Sequence, residues 1–156
     1  MGVFGYLAVS VTAFLGVLVG AVLAFISPEE MEPGARYFVY MQKVLLALLI
    51  VSLVLYQYYG YLVLLITALF IIAEFYVRAA ADEIRYALFA LVFYITSTVP
   101  EHFFASALII FLYGLPTGSM RAYALRKPWK ETLIMLTRRF GWFVLLAMLP
   151  FLFVYA

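Results

Sequence analysis

The chain alternates long apolar stretches with short polar breaks, and the lengths of the stretches predict its elements. Residues 3–26 carry no charged side chain. A helix needs about 20 mostly apolar residues to span roughly 30 Å of hydrocarbon, so this stretch predicts one crossing. Ser27-Pro28-Glu29-Glu30 follows with the form of a capping box, and Glu32-Pro33-Gly34 is expected to end the short turn or helix it starts. From Tyr37 to Arg78 only Gln42, Lys43, Gln57 and Glu74 interrupt the apolar character. As one helix this stretch would be about 63 Å long, twice the thickness of a membrane core. The break is placed at Gln57-Tyr58-Tyr59-Gly60-Tyr61, where a turn-permissive glycine sits among interfacial aromatics, giving crossings at about 38–57 and 61–80.

Residues 86–100 and 103–120 contain no Asp, Glu, Lys or Arg. The first is only about 22 Å long as a helix. Thr98-Val99-Pro100-Glu101 repeats the capping-box form and opens a new helix, whose end Gly114 and Pro116 are expected to mark. The pattern predicts a short helical hairpin at 86–120, either spanning or re-entrant. In the mixed stretch Trp129 to Arg139, Trp129, Leu133 and Leu136 recur at helical spacing and predict an interfacial helix. Residues 140–156 form the last crossing, with Pro150 as a kink point. The fold class is all-α: a polytopic membrane bundle of about six helices forming a single domain over 1–156. The first stretch lacks a basic leader and runs uncharged to Pro28, so it is expected to be a retained helix rather than a signal peptide.

Composition strengthens this picture. Hydrophobic residues make up 69% of the chain and charged ones 12%, against roughly 45–50% and about 25% in soluble domains. The excess apolar surface cannot be hidden in a soluble core of this size. Without cysteine, the chain has no disulfide framework, thiolate nucleophile or Cys-type metal site. The absence of Asn, with Gln only at Gln42 and Gln57, fits a thermophilic source.

Charge then orients the helices. Arg36 and Lys43 fall in the first connection, Arg78 and Arg85 in the third, and Arg121, Arg126, Lys127, Lys130, Arg138 and Arg139 in the fifth. The even connections contain none of the ten basic residues. By the positive-inside rule the odd connections are cytoplasmic, which predicts a multi-pass protein of the cell membrane with both termini outside. The small net charge of +2 is thereby explained by topology, not by a nucleic-acid partner.

Four groups of residues are candidates for function. Ala8, Thr12, Gly16, Gly20 and Ala24 recur every four residues and predict a close helix-packing face, within the chain's own bundle or against another membrane chain. Glu74, with Arg78 and Asp82 at four-residue intervals, is either a paired ladder or a step for a proton or cation. At the hairpin tip, Thr98, His102 and Ser106 share a face while Glu101 points about 100° away. This group is read as caps and interfacial hydrogen bonds, with ligand, metal or haem contact through His102 as the sharper alternative. The basic set Arg121, Arg126, Lys127, Lys130, Arg138 and Arg139 determines topology and offers contacts to anionic lipid.

No phosphate loop, dinucleotide turn or H-E-x-x-H pair occurs, and Asp82 is the only aspartate. No catalytic residue, metal site or cofactor is assigned. The expected partners are membrane lipids and other membrane chains. The expected role is a non-enzymatic subunit of a membrane complex, with a small ion or proton-coupled transporter or channel as the alternative and an intramembrane enzyme or haem-associated protein centred on His102 as the third.

Overall fold

A computed structural model describes residues 2–55, 61, 65, 68, 69, 72, 81–97 and 99–154. The described residues are helical apart from short connections, and no strand occurs among them. Helix α1 covers Val3–Ile26, and a 3-10 turn at Pro28–Glu30 leads into α2, Met31–Leu55. Helix α3 is Ala81–Thr96, α4 is Pro100–Leu125, α5 is Trp129–Phe140 and α6 is Trp142–Val154.

Four helical spans among the described residues are long and apolar enough to cross a membrane: α1, the turn with α2 (Pro28–Val54), α4, and α5 continued into α6 (Trp129–Leu149). These are the features of an all-helical integral membrane protein. The expected count of about six is not reached by this measure. Helix α3 has only 16 residues, about 24 Å, and most of the crossing expected at 61–80 lies outside the described residues.

Three local expectations are corrected. Glu32-Pro33-Gly34 does not end a helix, because α2 begins at Met31 and continues through it. Pro33 stands in the first turn, where its missing N–H would have no intrahelical partner. Arg36 and Lys43 therefore lie on a helix, not in a connection. The first capping box is not made, because Ser27 forms no side-chain cap; at the start of α4 the N-cap is Val99, and Thr98 of the second box lies outside the described residues.

The third correction concerns the hairpin at 86–120. Helix α4 does not stop at Gly114 and Pro116 but runs on to Leu125. Proline removes one backbone donor and crowds the carbonyl four residues earlier, yet membrane helices tolerate it where neighbouring groups compensate. The Thr117 hydroxyl donates to the Tyr113 carbonyl at 2.9 Å one residue further on.

What holds α4 in place is its approach to α1. A Cβ built on Gly16 would lie 2.0 Å from the Phe111 carbonyl oxygen, and one on Gly20 would lie 2.0 Å from that of Leu115. In return, a Cβ on Gly118 would meet the Val17 oxygen at 1.9 Å, and one on Gly114 the Val17 nitrogen at 2.6 Å. Two G-x-x-x-G segments thus bring backbone against backbone, each glycine aiming a Cα–H where a side chain would collide. Matching positions rise together along both helices, so α1 and α4 run parallel. The Ser119 hydroxyl donates to the Gly20 carbonyl at 2.7 Å and closes one end of this seam.

Aromatic rings fill the other side of the core. Tyr6 stacks on Phe103 at 5.2 Å, Phe103 meets Phe93 at 4.7 Å, Phe93 meets Phe143 at 5.6 Å, and Phe143 meets Tyr86 at 5.9 Å. Tyr86 continues to Phe140 at 5.0 Å and Tyr113 at 6.3 Å. These tyrosines are buried, unlike Tyr37, Tyr40 and Tyr61, whose large exposure suits an interfacial belt. The Tyr6 hydroxyl donates to the Ala147 carbonyl at 2.9 Å, so the ring keeps its polar end satisfied inside the bundle.

Candidate functional site

Among the described residues, a group of paired charged side chains lies where α3, α4 and α5 meet, with α2 beside it. It grows from two periodicities. On α3, Asp82 and Tyr86 are one turn apart, and on α4, Tyr113, Thr117 and Arg121 recur every four residues, so each helix turns one polar row toward the other. Asp82, the first-turn acid of α3, accepts from Arg85 on its own helix and from Arg121 on α4. Arg85 Nη1 lies 2.9 Å from Asp82 Oδ1, while Arg121 places Nε at 2.8 Å and Nη2 at 2.6 Å from Oδ2. Both carboxylate oxygens are used, and the side chains of Asp82 and Arg85 are only 12% and 13% exposed. Beside them Glu83 pairs with Arg139 of α5 nearer the surface.

One turn deeper, Gln42 of α2 donates through Nε2 to the Thr117 hydroxyl at 2.8 Å, joining the third helix to the row. Val39, Gln42, Lys43, Leu46, Arg85 and Tyr113 line a cavity of about 110 Å3 next to this bond. A second, larger cavity of about 450 Å3 opens between α4 and α5 beside Arg121, Arg138 and Arg139.

The sequence-predicted residues divide as follows. Gly16, Gly20 and Ala24 are buried in the α1 face, while Ala8 and Thr12 are exposed. Glu74, Arg78 and Thr98 lie outside the described residues. Glu101 is exposed and His102 half-buried. The Ser106 hydroxyl is buried without a hydrogen-bond partner, so it is not joined to His102 as a nucleophile pair. Of the basic set, Arg121, Arg138 and Arg139 come together on the α4–α5 cavity, and Arg126, Lys127 and Lys130 do not line it. No group of three His, Cys, Asp or Glu that could hold a metal ion occurs among the described residues.

Sequence reasoning missed the Asp82–Arg121 and Gln42–Thr117 contacts, whose partners are 39 and 75 residues apart. It also missed Gly114-x-x-x-Gly118, a signal present in the sequence but read as a helix stop. Chemically, the arrangement fixes guanidinium groups in orientation with carboxylates and leaves positive charge in excess.

Comparison of the chain with protein-family models, with curated proteins and with solved structures finds no match, so no family is assigned.

Proposed function

We propose that the chain is a non-enzymatic, multi-pass membrane protein that serves as a structural or accessory subunit of a larger membrane assembly. The observation that carries this is that hydrogen bonds and ion pairs between distant residues of the described bundle tie helix to helix. Asp82 is held by two arginines, Gln42 bonds Thr117, Ser119 bonds the Gly20 carbonyl and Tyr6 bonds the Ala147 carbonyl. Groups saturated by one another are poor acids, bases or nucleophiles. The glycine face of α1 is taken up by α4 of the same chain, so a partner would meet other, lipid-facing surfaces.

The six-crossing topology has one support beyond charge. Met31, Ala35 and Phe38 lie beside Met120 and Tyr123 while Gln42, further along α2, bonds Thr117, and Asp82 meets Arg121 while Phe93 meets Phe103, so α2 and α3 both run antiparallel to α4. Two helices that run the same way at these places are what the six-crossing reading expects of its second and fourth crossings. The positive-inside rule, with the basic ends taken as cytoplasmic, supports both termini lying outside.

Extraction in mild detergent followed by mass spectrometry of the whole particle tests the subunit role. Stoichiometric further chains are expected; a lone, monodisperse protein that supports ion flux in liposomes would refute it.

The small cavity beside Gln42, Lys43, Arg85 and Tyr113 favours a second reading, a transporter or channel for a small ion, with Glu74 and the 96–102 tip as further polar steps. Its volume suits a few waters or a small ion. Flux in proteoliposomes that falls in both Glu74→Gln and Arg85→Gln, with the fold intact, would establish this reading, and unchanged flux would remove it.

A further inference from the structure

We propose that the groove between α4 and α5 binds one anionic membrane lipid, its phosphate on the arginines and its first acyl carbons on the apolar wall. The proposal rests on the chain lying in a membrane and holds whether or not it is a subunit of a larger assembly.

The groove has the two chemistries of such a ligand. One rim carries Arg121, Arg138 and Arg139; the wall is Ala124, Leu125, Met135 and Leu136. Its volume of about 450 Å3 lies in the range of small-molecule sites. Two of the cations are fixed before any ligand arrives, because Asp82 holds Arg121 and Glu83 holds Arg139. A guanidinium has five N–H donors in a planar fork. Arg121 spends Nε and Nη2 on Asp82, and Arg139 spends Nε on Glu83, so each retains donors for a phosphate. Arg138 makes no ion pair among the described residues and supplies the charge that those acids leave uncancelled.

The surroundings select a lipid over a free ion. Exposed Trp129 begins α5 and exposed Trp142 begins α6, as expected for a helix held near a membrane boundary. There an anionic headgroup is already concentrated, and an acyl chain can follow the wall into hydrocarbon. The six basic residues of the region are therefore not equivalent: Arg138 belongs to the site, whereas Lys130 lies over the Trp129 ring and does not line the groove.

The full-length chain in neutral detergent, titrated with dioleoylphosphatidylglycerol or dioleoylphosphatidylcholine and read by native mass spectrometry, tests this. One phosphatidylglycerol is expected to bind in preference to phosphatidylcholine. Arg138→Gln should weaken it about tenfold, the scale of losing a charged hydrogen-bond partner, while Lys130→Gln leaves it unchanged. Ala124→Trp, at an exposed position on the wall, should abolish binding without altering charge, and melting curves will show that each variant is folded. Equal losses in Arg138→Gln and Lys130→Gln, no preference between the lipids, or equally strong competition by inorganic phosphate would each overturn the proposal.

Discussion

Helix α4 is held by two different kinds of contact on neighbouring faces, and they respond to different physics. Toward α1 it presents Gly114 and Gly118, where backbones meet with no side chain between them. Toward α3 it presents Tyr113, Thr117 and Arg121, a row that ends in an ion pair. Lipid gives no hydrophobic drive to bring two apolar helices together, so the glycine seam depends on closeness alone: dispersion and weak Cα–H bonds that vanish if the helices part. The ion pair gains its strength from low dielectric but carries the desolvation of every charge in it. One face tolerates no added volume; the other tolerates no lost charge.

The sharpest way to break the first face is Gly118→Ala. The new methyl would lie 1.9 Å from a backbone oxygen of α1, and backbone cannot swing aside as a flexible side chain can. Destabilisation of roughly 3 kcal/mol or more is expected, at the upper end of overpacking costs. Equilibrium unfolding in mixed detergent measures it. Gly34→Ala is the control, since the nearest atom its methyl would meet is Phe38 Cε2, a side-chain atom one turn on in the same helix, at 3.4 Å. A Gly118→Ala protein as stable as that control would mean the helices are not in backbone contact.

The second face is tested by charge. Asp82→Asn keeps the shape but takes away the carboxylate charge that Arg85 and Arg121 share. Breaking a buried pair from one side costs about 3–5 kcal/mol when burial is complete. With Arg121 31% exposed at its side chain, about 2 kcal/mol is expected here, since solvent screens part of the imbalance. A double-mutant cycle with Arg121→Gln should return a coupling of about 1 kcal/mol or more. Strict additivity would show the pair to be a bystander. Adding a methyl at the seam should therefore outweigh neutralising a charge, an order opposite to what the side chains' chemistry alone suggests.

The two faces also differed in how readable they were. The limits of α1 follow directly from its uncharged run, because the absence of charge over a membrane's thickness is a local property. Half of the seam, Gly16 and Gly20, was legible as a packing face for the same reason. Its other half was not, because Gly114 and Pro116 stop helices in water. Inside a packed membrane bundle that rule weakens, since neighbouring groups compensate for the lost bond and closeness favours glycine. The ion-pair layer was least visible. Spacing along one helix shows that Asp82 and Arg85 can meet, but nothing local says that Arg121 reaches the same carboxylate from the next helix. The buried tyrosines were hidden likewise: at membrane depth the sequence does not distinguish a ring facing lipid from one facing Phe93.

A smaller effect sharpens the contrast over what glycine is for in this molecule. None of the described glycines has positive φ, so those of the seam are there for closeness and not for backbone freedom. The single described residue with positive φ is Arg126, at φ 49 and ψ 33, capping the C-terminus of α4. That left-handed position favours glycine, and an L side chain there costs about 1–2 kcal/mol. Arg126 is exposed and does not line the α4–α5 groove, so its side chain has no packing to lose. Arg126→Gly should therefore stabilise the chain, by about 0.5 kcal/mol after allowing for the greater freedom of glycine in the unfolded state. A small upward shift of the melting temperature in detergent, with lipid binding at the groove unchanged, is the expected result. A loss of stability would mean that the arginine makes a contact which outweighs its own backbone strain.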